Sequence, residues 1–473
     1  MAIRLCFAVG AVIFIASLAR SVAADDAAAS AKLEGAWQGT LQVGATPLRL
    51  VIRFSKNEAG ALVGKMDSVD QAVKDMPIDE IQLEDGRLRF VMKQIAGSYE
   101  GKLTEDGTKF EGTWKQGPVG LPLALSRTDK PAELRRPQEP KKPYPYEERD
   151  VTYKNREGGE KIAGTLTLPR GDGPFPAVLL VSGSGPQDRD EAILGHRPFL
   201  VLADYLTRRG IAVLRVDDRG VGGSTGNWVE ATSEDNAADV LAGVAFLKAQ
   251  PKIDPRQIGL IGHSEGGIIA PIAAVRSPDV AFIVLLAGTG LTGEEILSQQ
   301  SKLIAAAMGA SSEAIEREQK LTRQIVAVLK QDPDEKVADK LMQILNAHLA
   351  SLPEEERKQA EALRGMYEAQ IRLSNSRWFR FFLVHDPRPT LRQVKCPVLA
   401  VIGEHDLQVP ADDNLREIEQ ALSAGGNRDH TVKKLAGLNH LFQTSATGSI
   451  AEYATIEETM SPAALGVIGD WIV

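Results

Sequence analysis

Ser264 is the side chain whose surroundings point most directly to chemistry. It sits in Gly262-His263-Ser264-Glu265-Gly266-Gly267, with a strand-like apolar run at 258–261 before it and a helix-like run at 268–275 after it. Strand, sharp turn and helix form the context that a G-x-S-x-G nucleophile needs. Such a turn strains the serine backbone, so neighbouring side chains must be absent, and Gly262 and Gly266 supply that space. The helix N-terminus then aims free N–H groups and its dipole at a developing oxyanion. The chemistry implied is nucleophilic attack on a carbonyl carbon.

A serine at its ordinary pKa is a poor nucleophile. It needs a base, and the base needs an orienting acid. Of the seven histidines, His263 lies inside the turn and is expected to point away from the serine. His405 and His430 compete for the role of base. His430 opens the strand-like segment 431–435, at the wrong end of it. His440 follows that segment in the loop 436–440, at the edge where Ser264 also lies, and is the favoured base. For the acid, Asp406 is the best candidate, in the turn beyond the apolar run 398–402. Glu404 is second, and Asp412 and Asp413 read as the start of the next helix. The loop Ser182-Gly183-Ser184-Gly185-Pro186 follows another apolar run and can bring backbone N–H groups beside the serine. Those of Ser184 and Glu265 are the expected oxyanion donors, with Gly185 a near equal to Ser184.

These residues need a scaffold that gathers them at one edge. From Asp150 onward, apolar runs at 177–181, 212–216, 258–261, 282–286 and 398–402 alternate with helical segments. Unbroken apolar runs suit strands buried on both faces. Their alternation with helices implies a mostly parallel sheet with right-handed crossovers. Ligands then bind beyond the carboxyl ends of the strands. The expected fold class is therefore α/β. The alternation breaks between Leu291 and Pro389, a stretch of helix formers punctuated by Pro333 and Pro353. It reads as a helical cap, the alternative being a helical subdomain with no catalytic role. Its last segment holds Trp378, Phe379, Phe381 and Phe382. This group could line an acyl pocket or pack a core. Gly185, Trp378 and Phe381 are the candidate substrate contacts.

Three segments sharpen the reading: 182–190, Asp217-Asp218-Arg219-Gly220-Val221-Gly222-Gly223-Ser224, and 262–267. Together they resemble the α/β-hydrolase superfamily, in particular secreted esterases of the EstD type, which are related to dienelactone-hydrolase-like and serine-aminopeptidase S33-like hydrolases. The likeness covers roughly 320 residues. It implies an α/β-hydrolase fold and carboxylic-ester hydrolysis. The chain order Ser264, Asp406, His440 is the one expected of that fold. Ser264 stands where dienelactone hydrolases carry cysteine, so their particular chemistry is not implied.

Other motifs have simpler readings. Gly288-Thr289-Gly290-Leu291-Thr292-Gly293 matches G-x-G-x-x-G. A dinucleotide fold would continue to a second strand ending in an acid, whereas here a long helical stretch follows. The segment 220–226 lacks the lysine of a P-loop, and Arg219 with its glycines reads as a turn bracing the floor of the site. No spacing suggests a metal site. Neither cofactor nor metal is expected.

The chain before Asp150 differs in character. Between Gly35 and Arg127, eight short alternating runs separated by turn residues read as a small sandwich or barrel. The echo of Gly35-Ala36-Trp37 in Gly112-Thr113-Trp114 predicts two tryptophans in one core and neighbouring first and last strands. This all-β domain, 25–130, resembles lipocalin-like domains found before some secreted hydrolases. Five prolines in a charged segment then read as an extended linker at 131–147. The catalytic domain is placed at 148–473, with the cap at about 291–389.

Residues 1–24 read as a signal peptide, with Arg4, an apolar run at 5–19 and small residues near 23. An uncleaved anchor is the alternative. Cleavage implies a secreted or periplasmic protein without stable membrane insertion. It also leaves Cys396 as the single cysteine, so no intrachain disulfide is expected. The net charge of −8 argues against a nucleic-acid partner. A small-molecule ester is the expected substrate. Oligomeric state is not legible.

Overall fold

The structure is a computed structural model that describes residues 33–43, 46–71, 73–116, 119–331, 336–362 and 364–473. The expected signal peptide and Pro333 lie outside the described residues. The chain divides into two compact units, one ending at Arg135 and the other spanning Arg136–Val473.

In the first unit, alternation of apolar and polar residues builds nine antiparallel strands. They are β1 Gly35–Val43, β2 Thr46–Lys56, β3 Leu62–Ser68, β4 Val73–Ile78, β5 Glu80–Glu84, β6 Arg87–Met92, β7 Gly97–Leu103, β8 Lys109–Gln116 and β9 Val119–Thr128. They form one sheet in the order β4-β3-β2-β1-β9-β8-β7-β6-β5. The sheet curls like a barrel and does not split into a sandwich. β1 pairs with β9, with Trp37 opposite Arg127. Trp37 and Trp114 share one core with Phe54, Phe90, Tyr99 and Phe110. Four of these aromatics are at most 1% exposed, so the interior is filled by the protein's own rings. β4 escapes the sequence pattern because Lys74, Asp75 and Pro77 interrupt an edge strand whose residues are mostly exposed.

The segment expected as an extended linker, 131–147, is docked from Arg136 onward. The Arg136 guanidinium donates to the carbonyls of Leu194, Ala454 and Ile456. Gln138 accepts from the N–H groups of Thr459 and Met460. Glu139 pairs with Arg197, and the Tyr146 hydroxyl donates to Asp204. Proline keeps this backbone extended, but the polar residues between the prolines find partners on the second unit.

That unit is built on an eight-stranded sheet in the order β10-β11-β13-β12-β14-β15-β16-β17. The strands are β10 Glu147–Lys154, β11 Lys161–Leu168, β12 Phe175–Val181, β13 Ala212–Val216, β14 Ile253–His263, β15 Phe282–Leu286, β16 Val398–Gly403 and β17 His430–Leu435. β10, β11 and β13 pair antiparallel, and every other pair is parallel. Helices α1 Pro198–Arg208, α2 Ser233–Lys248 and α3 Gly266–Arg276 fill the first crossovers. α1 and the final helix cover one face, through Phe199, Leu202, Leu465 and Ile468. α2 and α3 cover the other, through Val240, Val244, Ile268 and Ile272. This is an α/β-hydrolase architecture.

Between β15 and β16 the chain forms α4 Gly293–Ala307, α5 Ser312–Leu329, α6 Val337–Ser351, α7 Glu354–Ala362, α8 Arg364–Ser374, α9 Arg377–Val384 and α10 Arg388–Leu391. A capping box of Thr292 and Glu295 starts α4. The insertion has its own core, including Val326, Leu341, Leu345, Ile371 and Leu383. α11 Ala411–Ala424 and α12 Pro462–Ile472 complete the unit. Asp412 and Asp413 open α11, as expected.

Candidate active site

Ser264 occupies the turn between β14 and α3 with φ at +52°, a strained conformation costing roughly 1–3 kcal/mol. Its N–H donates to the carbonyl of Leu286 at 2.8 Å, and its carbonyl accepts from Gly267 at 2.9 Å. The glycines around it are sterically required. A Cβ at Gly262 would stand 2.0 Å from the Gly266 oxygen, and one at Gly266 would stand 2.2 Å from the Val181 oxygen.

Asp406 and His440 meet beyond the adjacent strands. The His440 Nδ1 lies 2.8 Å from the Asp406 Oδ2. The other Asp406 oxygen accepts from the N–H groups of Gln408 and Val409, each at 2.8 Å. Three contacts therefore fix this buried carboxylate toward the imidazole. Gly403 ends β16 and lets the histidine loop approach, since a Cβ there would lie 2.2 Å from the Leu438 oxygen. The rival residues are used elsewhere. Glu404 accepts from Gly437, His405 contacts the Ser445 carbonyl, and His430 contacts the Asn427 carbonyl at the opposite end of β17.

Register explains why these groups share one rim. His263 pairs with Leu286, Leu286 with Val401, and Gly403 with Leu435. Ser264, Asp406 and His440 each follow one of these carboxyl ends. Among the described residues, no hydrogen bond joins Ser264 to His440. Such contacts are commonly long in ligand-free sites and tighten around substrate.

The His263 ring reaches Glu191 and the His440 backbone. It is 7% exposed, and its ring centroid lies 4.9 Å from that of His440. Its Nε2 contacts the His440 carbonyl at 3.1 Å, and its Nδ1 contacts Glu191 at 2.9 Å. Burial disfavours its imidazolium form, but the Glu191 carboxylate, the His440 carbonyl and the Asp406 charge together outweigh this and raise the pKa. Glu191 was not singled out in the sequence. It follows the quoted segment 182–190 directly, and only the folded chain brings it beneath His263.

The Gly183 N–H donates to Glu191 at 2.7 Å, while a Cβ on Gly183 would stand 3.1 Å from the Ser264 Cβ. The glycine loop therefore lies against the serine. The N–H groups of Ser184 and Glu265 have no acceptor among the described hydrogen bonds. Gly185 and Trp378 line a cavity together with Ser182, Asp218, Trp228 and Glu265. Phe381 does not line it. That side chain is half-buried and stacks on His385 at 5.0 Å.

Two carboxyls give this cavity its electrostatic character. Glu265 is 2% exposed and accepts from the Ser233 hydroxyl and the Trp378 indole, both within 2.9 Å. Burial raises its pKa, with these hydrogen bonds and that of Ser184 in partial opposition. Burial pushes Asp218 up to about 8, against hydrogen bonds from Ser182 and Gln187. Neighbouring charges are better matched. Arg189 binds Asp217 through two nitrogens. Arg219 pairs with Asp239 and Glu160.

The remaining motifs have structural uses. Gly290 donates to Asn414 and Gly267 packs on Gly288, so the segment 288–293 serves close packing. Cys396 is half-buried, and burial raises its thiol pKa to about 11. Among the described residues, no group of three or more His, Cys, Asp or Glu side chains could hold a metal.

Curated esterases are similar to part of this chain. Esterase EstD of Thermotoga maritima is 33% identical over 162 residues, which cover 34% of this chain and 37% of EstD. Esterase FrsA of Escherichia coli is 32% identical over 133 residues, covering 27% of this chain and 29% of FrsA. The match thus spans little more than a third of these relatives at most. Among solved structures, the Pyrococcus furiosus esterase Pf2001 aligns at 18% identity over 61% of this chain and 82% of its own, with a TM-score of 0.40. The α/β-hydrolase GrgF from Penicillium aligns at 19% identity over 62% and 91%, with a TM-score of 0.39. The family model for X-Pro dipeptidyl-peptidase (S15 family) matches residues 158–432, which include Ser264 and Asp406. With more than half its length matched, the chain belongs to the X-Pro dipeptidyl-peptidase (S15) family.

Proposed function

We propose that the protein is a serine hydrolase that cleaves carboxylic esters through an acyl-enzyme. The observation that carries this reading is the buried Asp406–His440 pair on the rim that holds the strained Ser264. With Nδ1 held by Asp406, the Nε2 of His440 is the basic nitrogen. It takes the proton of Ser264 as the hydroxyl oxygen attacks the ester carbonyl. The N–H groups of Ser184 and Glu265 hold the oxyanion, each donor contributing about 3 kcal/mol to transition-state stabilisation. The proton passes from His440 to the leaving alcohol. His440 then activates water, which releases the acid and restores Ser264. The reading includes a signal peptide at 1–24, which would carry this activity outside the cytoplasm.

The test is Ser264→Ala on p-nitrophenyl acetate, with a fluorophosphonate probe alongside. The wild type is expected to turn over and to be labelled, and the variant to do neither while keeping its fold. Turnover by the variant would overturn the assignment of Ser264. An unlabelled, inactive wild type would point to a binding protein on the same fold.

A second reading is hydrolysis of substrates bearing an amine. It rests on Asp218 and Glu265, neither of which has a Lys or Arg partner among the described residues. Trp228 and Trp378 share their cavity, and aromatic faces also attract ammonium groups. Comparing aminoacyl p-nitroanilides with simple esters separates the two readings.

A further inference from the structure

We propose that Glu191 and His263 form a positioning pair that locks the oxyanion loop to the loop carrying the general base. The inference rests on the serine-hydrolase reading of the site. One carboxylate oxygen, Glu191 Oε1, accepts both the Gly183 N–H at 2.7 Å and a hydrogen bond from His263 Nδ1 at 2.9 Å. The far nitrogen of the same imidazole donates to the His440 carbonyl at 3.1 Å. A continuous chain therefore runs from Gly183 through Glu191 and His263 to the backbone of His440. It passes directly beneath Ser264, whose side chain faces Gly183 and whose chain neighbour is His263.

The hydrogen-bond roles fix the protons. A backbone carbonyl can only accept, so His263 Nε2 carries hydrogen. With Glu191 as a carboxylate, Oε1 has no hydrogen to give and accepts from both Gly183 and Nδ1, so Nδ1 also carries hydrogen. Both nitrogens donate, and His263 is an imidazolium paired with a carboxylate. The pair is almost inaccessible to water, with Glu191 6% and His263 7% exposed. Glu191 is held at a φ of +50°, a conformation unusual for a residue with a side chain. Its own N–H is anchored on the Asp188 carbonyl at 2.9 Å.

Neither residue can reach a substrate carbonyl in these roles, since both donor positions of the imidazole are occupied. Their effect is geometric. A shift of about 1 Å between the oxyanion donors and the base costs roughly a hundredfold in rate. The bridge ties those two parts across a sequence gap that no regular element spans.

The test compares His263→Phe, Glu191→Gln and the double variant with the wild type on p-nitrophenyl acetate. His263→Phe keeps a ring but cuts both hydrogen bonds. Its kcat is expected to fall tenfold or more, with KM within twofold. Glu191→Gln keeps an acceptor for Gly183, so its loss should be smaller. The double variant should match His263→Phe within twofold, because both changes act through one chain of contacts. The idea fails if His263→Phe keeps kcat within twofold of wild type, if the loss lies in KM, or if the two losses multiply. Should His263→Phe not fold, Glu191→Gln alone decides: an unchanged kcat sinks the proposal and a reduced kcat at constant KM supports it. A wild type without turnover or fluorophosphonate labelling is a separate outcome, which removes the hydrolase reading and the positioning role with it.

Discussion

Nδ1 of His440 and Oδ2 of Asp406 lie 2.8 Å apart, joining two loops 34 residues apart in the chain. Both residues are buried, at 4% and 3% exposure. Their contact is therefore shielded from competing water, and under the proposed mechanism it leaves Nε2 of His440 to act as base. Asp406→Asn should keep the fold but favour the wrong tautomer. We expect kcat on p-nitrophenyl acetate to fall roughly a thousandfold or more. A loss under tenfold would remove Asp406 from the machinery.

The cavity lined by Asp218 and Glu265 sets a pH dependence of stability. Burial pushes Asp218 up to about 8, while an unfolded aspartate titrates near about 3.9. Between these values the folded chain keeps a proton that the unfolded chain releases. The contribution of this group is therefore complete below about pH 4 and is lost as pH rises toward 8. Asp218→Asn is expected to flatten the decline in Tm between pH 5 and 8. Parallel curves for variant and wild type would refute the assignment.

Glu265 bears on substrate choice. If its carboxylate attracts an amine, Glu265→Gln should lower kcat/KM for aminoacyl p-nitroanilides about tenfold or more while sparing p-nitrophenyl acetate. Equal losses on both substrates would assign Glu265 to the architecture of the turn, through Ser233 and Trp378.

Steric closure of the serine turn can be tested without any substrate. Gly262→Ala would place a Cβ 2.0 Å from the Gly266 oxygen, a backbone atom with nowhere to move. We expect destabilisation of about 3 kcal/mol or more, read from denaturant unfolding. A variant as stable as the wild type would show that the turn is looser than drawn.

Much of the site was legible because its elements are local. Ser264 is announced by glycines on both sides, and the end of an apolar run marks where Asp406 and His440 emerge. His440 was separable from His430 because each lies at a known end of the same strand. The aromatic group was less readable. Trp378 and Phe381 are three residues apart on one helix, yet one lines the cavity and the other stacks on His385. The docked segment after Arg136 was misread as a spacer because its partners, including Leu194 and Met460, are distant in the chain.

By itself, the sequence determined the alternation of strands and helices, the turn around Ser264 and the placing of Asp406 and His440 just beyond strand ends. These follow from local sterics and from apolar periodicity, which act over a few residues. Only the tertiary structure decided that Glu191 lies beneath His263, and that Asp218 and Glu265 share a cavity with two tryptophans. Such meetings depend on strand register and crossover packing, which bring together side chains that no short-range pattern relates.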